Sequence, residues 1–166
     1  CVPAVEAGQL RSFPIQILIS YVTAGAGHRR AAEAMAEALS HAYPNAAVRC
    51  RDFLQDAPRW LRAAYPTTYY ALVRHWSRLW GMGFELLDQR WLYGFAQPIR
   101  RGWNLLMARR FIRQLRADPP DLVIATHFLP ADVFSACKRA GWLAAPLVVA
   151  VTDCYPHRFW LSPEAE

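Results

Sequence analysis

The stretch Ile15–Ala32, IQILISYVTAGAGHRRAA, decides the fold. An apolar, β-branched run leads through Thr-Ala-Gly-Ala-Gly-His into a series of good helix formers. That order predicts a strand over Ile15–Val22, a tight glycine loop, and a helix over Gly27–Ala42 with Met35 and Leu39 on one face. A helix start leaves several backbone N–H groups unpaired and suited to an anion. Here the loop residues Thr23, Gly25 and Gly27 deliver a histidine, His28, to that start. Two common glycine fingerprints do not fit. A Walker loop needs a lysine after its second glycine, and the one lysine of the chain is Lys138. A dinucleotide loop needs a small residue at its sixth position, which counting from Gly25 is Arg30. Two readings of the loop remain open: a phosphate cradle, or simply a tight turn.

The same alternation continues toward the other end. Pro44-Asn45 reads as a turn and Ala46–Phe53 as a second strand. Pro119-Pro120 stops a helix, and Asp121–Thr126 (DLVIAT) is a short buried strand. Pro130–Ala140 is a helix ended by Gly141, and Pro146–Thr152 (PLVVAVT) is another strand. Continuous β-branched runs separated by helices mean a parallel sheet covered on both faces. The fold class is therefore α/β, a Rossmann-like doubly wound parallel sheet. Residues 1–14 read as an extension, and residues 15–166 as one domain of a size that supports a single core.

Composition narrows the function classes. No uncharged apolar run reaches the roughly 18 residues of a membrane-spanning helix, and the first residues do not read as a secretory signal. The four cysteines, Cys1, Cys50, Cys137 and Cys154, form no C-x-x-C pair. Cys50 falls on a predicted strand and Cys137 on a predicted helix, so both are expected as buried free thiols in a reducing compartment. The expectation is a soluble or peripheral cytosolic chain.

Between Arg59 and Arg116 the composition shifts, marking a helical insert over residues 57–117. This segment holds eleven arginines against Glu85 and Asp88, a net +9 in a chain of net +6, so the remainder is −3. It also holds five of the seven tryptophans. Aromatic bodies that enter a headgroup boundary beside guanidinium groups that meet lipid phosphates are what an interface-lying element requires. The membrane-binding candidates are Arg74, Trp76, Arg78, Trp80, Trp91, Arg100, Arg101 and Trp103, with anionic lipids as partner. A competing reading makes the aromatics the core of the insert. Basic and aromatic residues also alternate in nucleic-acid binders, but no such signature is present and no nucleic-acid partner is expected.

The unusual polar residues fall at strand ends. His28 follows the first strand, His127 follows Asp121–Thr126, and Asp153 and His157 follow Pro146–Thr152. In a parallel sheet these ends share one edge, where ligands of open α/β sheets bind. A neutral His28 at that edge is a candidate general base, with a carboxylate to orient it. His127, Asp153 and His157 also raise the thought of zinc, but their spacing matches no compact metal motif, and no metal is assigned. A small nucleotide- or phosphosugar-binding enzyme stays open as well, with Asp52 as its ribose-binding carboxylate.

Three segments taken in order carry a family resemblance. TAGAGHRRAAEAMAEAL, then PPDLVIATHFLPADVFSACKRAG, then PLVVAVTDCYPHRFW resemble the N-terminal half of the monogalactosyldiacylglycerol synthase and processive diacylglycerol glycosyltransferase family. The aromatic section AAYPTTYYALVRHWSRLWG lies between the first and second, and the likeness runs from Ile15 to Trp160. The resemblance implies the acceptor-side domain of a two-domain GT-B hexosyltransferase, on the cytoplasmic face of a membrane. Diacylglycerol would be acceptor and a UDP-sugar the donor substrate, with no further cofactor required. It implies His28 as the catalytic group and Thr23, Gly25 and Gly27 as the loop facing acceptor and donor phosphates. His127, Thr152, Asp153, His157 and Trp160 would line the acceptor cleft. Ala24 and Ala26 stand where the family loop commonly has glycine, and their methyl groups narrow the approach of a ligand to the backbone. The resemblance further implies a UDP-sugar-binding domain that this sequence lacks, so the chain by itself is expected to bind lipid without turning over UDP-sugar.

Overall fold

A computed structural model describes residues 14–23, 26–75, 90–154 and 158–166. Its centre is a four-stranded parallel sheet in the order β2-β1-β3-β4. The strands are β1 (Gln16–Tyr21), β2 (Ala47–Asp52), β3 (Leu122–Ala125) and β4 (Leu147–Val149). The helices are α1 (Ala26–Ala42), α2 (Arg59–His75), α3 (Arg90–Met107), α4 (Arg109–Ala117) and α5 (Phe128–Arg139).

Side chains alternate across a strand, so a run such as Ile17-Leu18-Ile19 supplies both faces of the sheet. Ile17, Ile19 and Ile124 pack with Ala32, Met35 and Leu39 of α1 on one face. Leu18, Val123, Ala125 and Leu147 pack with Phe111, Ile112 and Leu115 of α4 and Val133 and Phe134 of α5 on the other. Phe111 is the hinge of that second layer: its ring lies 5.1 Å from Phe53 and 5.6 Å from Phe134. The doubly wound architecture read from the sequence is thus the observed one.

Two differences have physical causes. The last strand was expected to run to Thr152 but ends at Val149. Its partner β3 is only four residues long, and after Ala150 N–H donates to Ala125 O the chain leaves the ladder. Cys50, expected as buried, is exposed, while Cys137 is buried. Strand β2 lies at the sheet's edge, where its side chains have helix cover from fewer directions. The start of α5 is capped: His127 accepts a hydrogen bond at Nδ1 from Leu129 N–H. Its end has Gly141 in the left-handed region at φ +72, the conformation that favours glycine just past a helix.

Candidate active site

Each strand end contributes one piece at the carboxyl edge of the sheet. After β1 the chain turns at Thr23, which a carboxylate from the neighbouring strand holds. Asp52 accepts from Thr23 Oγ1 at 2.7 Å and from Thr23 N–H at 3.3 Å, and from Leu54 N–H at 3.0 Å. Asp52 is therefore a buried strut under the loop, which removes it as a ribose ligand. Tyr21, just before, has its phenol pushed up by burial and then by the nearby Asp52 carboxylate, and stays neutral.

The loop then enters α1, with Gly27 and His28 in its first turn. A Cβ added at Gly27 would meet none of the described residues within 4 Å. The His28 ring points back across the sheet edge. Its Nδ1 lies 2.6 Å from Thr152 Oγ1 and 3.0 Å from Thr126 O. Thr126 Oγ1 in turn donates to His28 O at 2.9 Å, fastening the helix start to the end of β3. On the opposite side of the ring, Nε2 stands 3.7 Å from Asp153 Oδ1. That gap exceeds a direct hydrogen bond and fits a weak charge pairing.

Asp153 does not close the gap because it is held elsewhere. Trp160 Nε1–H donates to Asp153 Oδ2 at 2.8 Å, and Trp160 is itself buried on the short 3-10 turn Arg158–Trp160. Aromatic rings wall the site. His28 and His127 meet edge to face at 4.6 Å, His127 stacks on Phe128 at 4.2 Å, and Trp160 lies 6.4 Å from both histidines. His127 is 3 % exposed and its Nδ1 is spent on the α5 cap, so it frames His28 rather than opening to solvent. Among the described residues no cluster of three metal-ligating side chains occurs.

The structure thus brings Thr23, Gly27, His28, His127, Thr152, Asp153 and Trp160 to one edge. Gly25 and His157 lie outside the described residues. Sequence reading missed two members, Asp52 as loop support and the Thr126 carbonyl against His28. A carboxylate at the last position of a strand, next to the strand that feeds the loop, is the signal for the first. The second has none, because a backbone carbonyl carries no residue identity.

The arginine-tryptophan segment divides. Arg100 and Arg101 were expected to face lipid headgroups, but both turn inward onto Asp132 of α5, at 3.2 and 3.3 Å. Asn104 Nδ2 donates to the same carboxylate at 2.7 Å, and the Arg100 guanidinium covers the Phe159 ring at 4.4 Å. The cause is that Asp132 is 4 % exposed, and a buried carboxylate demands partners. Ile99, Trp103 and Leu106, spaced i, i+4 and i+7 on α3, form an exposed apolar stripe instead. Trp60 of α2 joins it, 6.2 Å from Trp103, with Arg59, Arg62, Arg109 and Arg110 exposed on the same two elements and on the start of α4. Arg74 is exposed near the end of α2. Trp76, Arg78 and Trp80 lie outside the described residues, as does the side chain of Trp91. No described helix is long and apolar enough to cross a membrane.

A family model described as monogalactosyldiacylglycerol (MGDG) synthase matches residues 28–166, starting at His28 and covering the whole site edge after it. The chain belongs to the MGDG synthase family. Two curated relatives, each named probable monogalactosyldiacylglycerol synthase 2, chloroplastic, come from Oryza sativa subsp. indica and subsp. japonica. Each is 26% identical over 149 residues, covering 86% of this chain and 31% of the relative. The chain thus spans about a third of the length of the MGDG synthases it matches. No solved structure matches it.

Proposed function

We propose that this domain is the acceptor-side half of a membrane-associated hexosyltransferase that moves a sugar from a UDP-sugar to diacylglycerol. The observation that carries the reading is the His28–Asp153 arrangement at the sheet's carboxyl edge, within the segment matched by the MGDG synthase family. A base is needed where a neutral alcohol attacks an anomeric carbon, because the oxygen loses its proton as the new bond forms. The diacylglycerol hydroxyl approaches Nε2 of His28 beside Asp153, gives its proton to the imidazole, and attacks the anomeric carbon. The new C–O bond forms as the bond to UDP breaks, and UDP leaves with the electron pair. Asp153 then lies close to the imidazolium and stabilises its charge. The donor is bound by a further domain of the same protein, and the unpaired N–H groups at the start of α1 suit its phosphates.

The stripe of Ile99, Trp103 and Leu106 with Trp60 supports peripheral docking at a cytoplasmic membrane face. Aromatic bodies enter the interface, and each flanking arginine near an anionic surface contributes about 1 kcal/mol. This is a smaller face than the arginine count implied, since Arg100 and Arg101 are internal.

The test is to incubate the protein encoded by the whole gene with UDP-hexoses and vesicles of diacylglycerol and anionic phospholipid, and to analyse the lipid extract by mass spectrometry. Hexosyl-diacylglycerol is the expected product. Vesicle binding without product from any UDP-hexose would reduce the domain to a docking module.

A further inference from the structure

The contacts at His28 Nδ1 determine more than the ring's position. Three polar atoms form a close triangle: His28 Nδ1, Thr152 Oγ1 and Thr126 O, with sides of 2.6, 3.0 and 2.9 Å. The carbonyl oxygen can only accept. If Nδ1 carries the proton, it donates to the carbonyl and to the hydroxyl oxygen, while Thr152 O–H donates to the carbonyl. Every side of the triangle then has a hydrogen. If Nδ1 is bare, the Thr152 proton can serve one side only, and two pairs of lone pairs face each other at about 3 Å in a part-buried site. Such unmatched acceptors cost as much as a lost buried hydrogen bond.

We infer that the Thr126 carbonyl holds neutral His28 as its Nδ1–H tautomer and so leaves the lone pair on Nε2, with Thr152 Oγ1 as a second acceptor that makes Thr152 a positioning residue for the ring. This rests on the reading of His28 as the base, and it changes the part played by Thr152 from lining the acceptor cleft to positioning the ring whose protonated nitrogen the Thr126 carbonyl selects. A base works only if its free lone pair faces the proton it takes, and the wrong tautomer is inert however well the ring is placed. The neighbouring histidine has the opposite arrangement. His127 Nδ1 accepts from Leu129 N–H, so its neutral ring carries the proton on Nε2. The two rings, 4.6 Å apart, are thus held in opposite tautomers by their backbone contacts.

The experiment is nitrogen-15 NMR of the histidine rings in the unliganded chain at alkaline pH, in wild type, Thr152→Ser and Thr152→Val. Wild type is expected to show Nδ1–H for His28 and Nε2–H for His127. Thr152→Ser, which keeps the hydroxyl, retains that pattern. Thr152→Val, which keeps the branched shape, removes the hydroxyl that could donate to a bare Nδ1, so His28 keeps its Nδ1–H against the Thr126 carbonyl and His127 is unchanged. Wild-type His28 as Nε2–H, or a Val variant in which His28 turns to Nε2–H, would overturn the inference. In the whole protein, Thr152→Val should lower kcat with little change in KM for diacylglycerol, with recovery in Thr152→Ser. If the NMR result holds but His28→Ala keeps full transferase activity, the tautomer assignment stands and the catalytic reading fails.

Discussion

Trp160 holds Asp153 back from His28. The indole N–H takes one carboxylate oxygen at 2.8 Å, and the other is left 3.7 Å from His28 Nε2. The spacing is longer than a direct hydrogen bond, so Nε2 is not tied to the carboxylate. Replacing Trp160 by Phe keeps most of the buried ring and removes the donor. The carboxylate is then free to swing, and the expected result is a fall in kcat of about tenfold with KM for diacylglycerol little changed, since one hydrogen bond to a charged group contributes about 1.5–3 kcal/mol. Steady-state kinetics of the variant in the whole protein checks this. An unchanged kcat would mean that the placement of Asp153 is irrelevant to turnover.

Asp132 is the anchor of α3 on α5. It is buried, and Arg100, Arg101 and Asn104 all converge on it. Asp132→Ala would leave two largely buried guanidinium groups without their counter-charge, at a cost of about 3–5 kcal/mol. Urea denaturation of the variant reads this directly. A loss below about 1 kcal/mol, as for an exposed pair, would mean that the arginines reach solvent.

These two clusters show what the sequence discloses and what it hides. The parallel sheet is legible because Ile17-Leu18-Ile19 and Val123-Ile124 are apolar on both faces, which only a doubly covered strand permits. The placement of His28, His127 and Asp153 is legible because each lies in the segment that leaves a strand, and parallel strands end together. The inward turn of Arg100 and Arg101 is not legible from composition. Successive helix residues point about 100° apart, so one segment supplies both a solvent-facing Trp103 and a core-facing Arg100. The signal that was present is Asp132, an acid in the otherwise apolar FLPADVF, which needed basic partners from somewhere. The tie from Asp52 to Thr23 depends on β1 and β2 being neighbours in register, Tyr21 opposite Asp52, and no local pattern encodes that.

The cysteines offer an independent check of the fold. Cys137 is buried among the residues between α5 and the sheet, and burial pushes its thiol up to about 11. Cys50 and Cys154 are exposed. Brief alkylation with iodoacetamide at neutral pH, followed by peptide mapping, should modify Cys50 and Cys154 and spare Cys137 until the protein is unfolded. Early labelling of Cys137 would contradict the packing of α5.

The segment after Trp160 returns to α5 through Glu164, which accepts from Arg139 Nε at 2.8 Å and from the buried Ser135 hydroxyl. Burial raises the Glu164 carboxyl, but the Ser135 and Arg139 hydrogen bonds outweigh it and the net shift is downward. A depressed carboxyl stabilises the fold above its unfolded value, and that contribution is lost as pH falls through the folded value. The stability difference between wild type and Glu164→Gln should therefore be full at pH 7 and shrink steadily below about pH 4.5. Thermal unfolding across that range measures it, and a difference independent of pH would contradict the assigned charge state.

The central claim is that His28 takes the acceptor's proton. Its most direct test is the rate of hexosyl-diacylglycerol formation by the whole protein carrying His28→Ala, compared with wild type on the same vesicles, with vesicle binding measured in parallel. Turnover is expected to fall by about 10²–10⁴-fold, the range of a lost general base, while vesicle binding through the Trp60–Trp103 face is unchanged. Turnover within a fewfold of wild type would contradict it, and would leave the sheet edge as a binding site without a base.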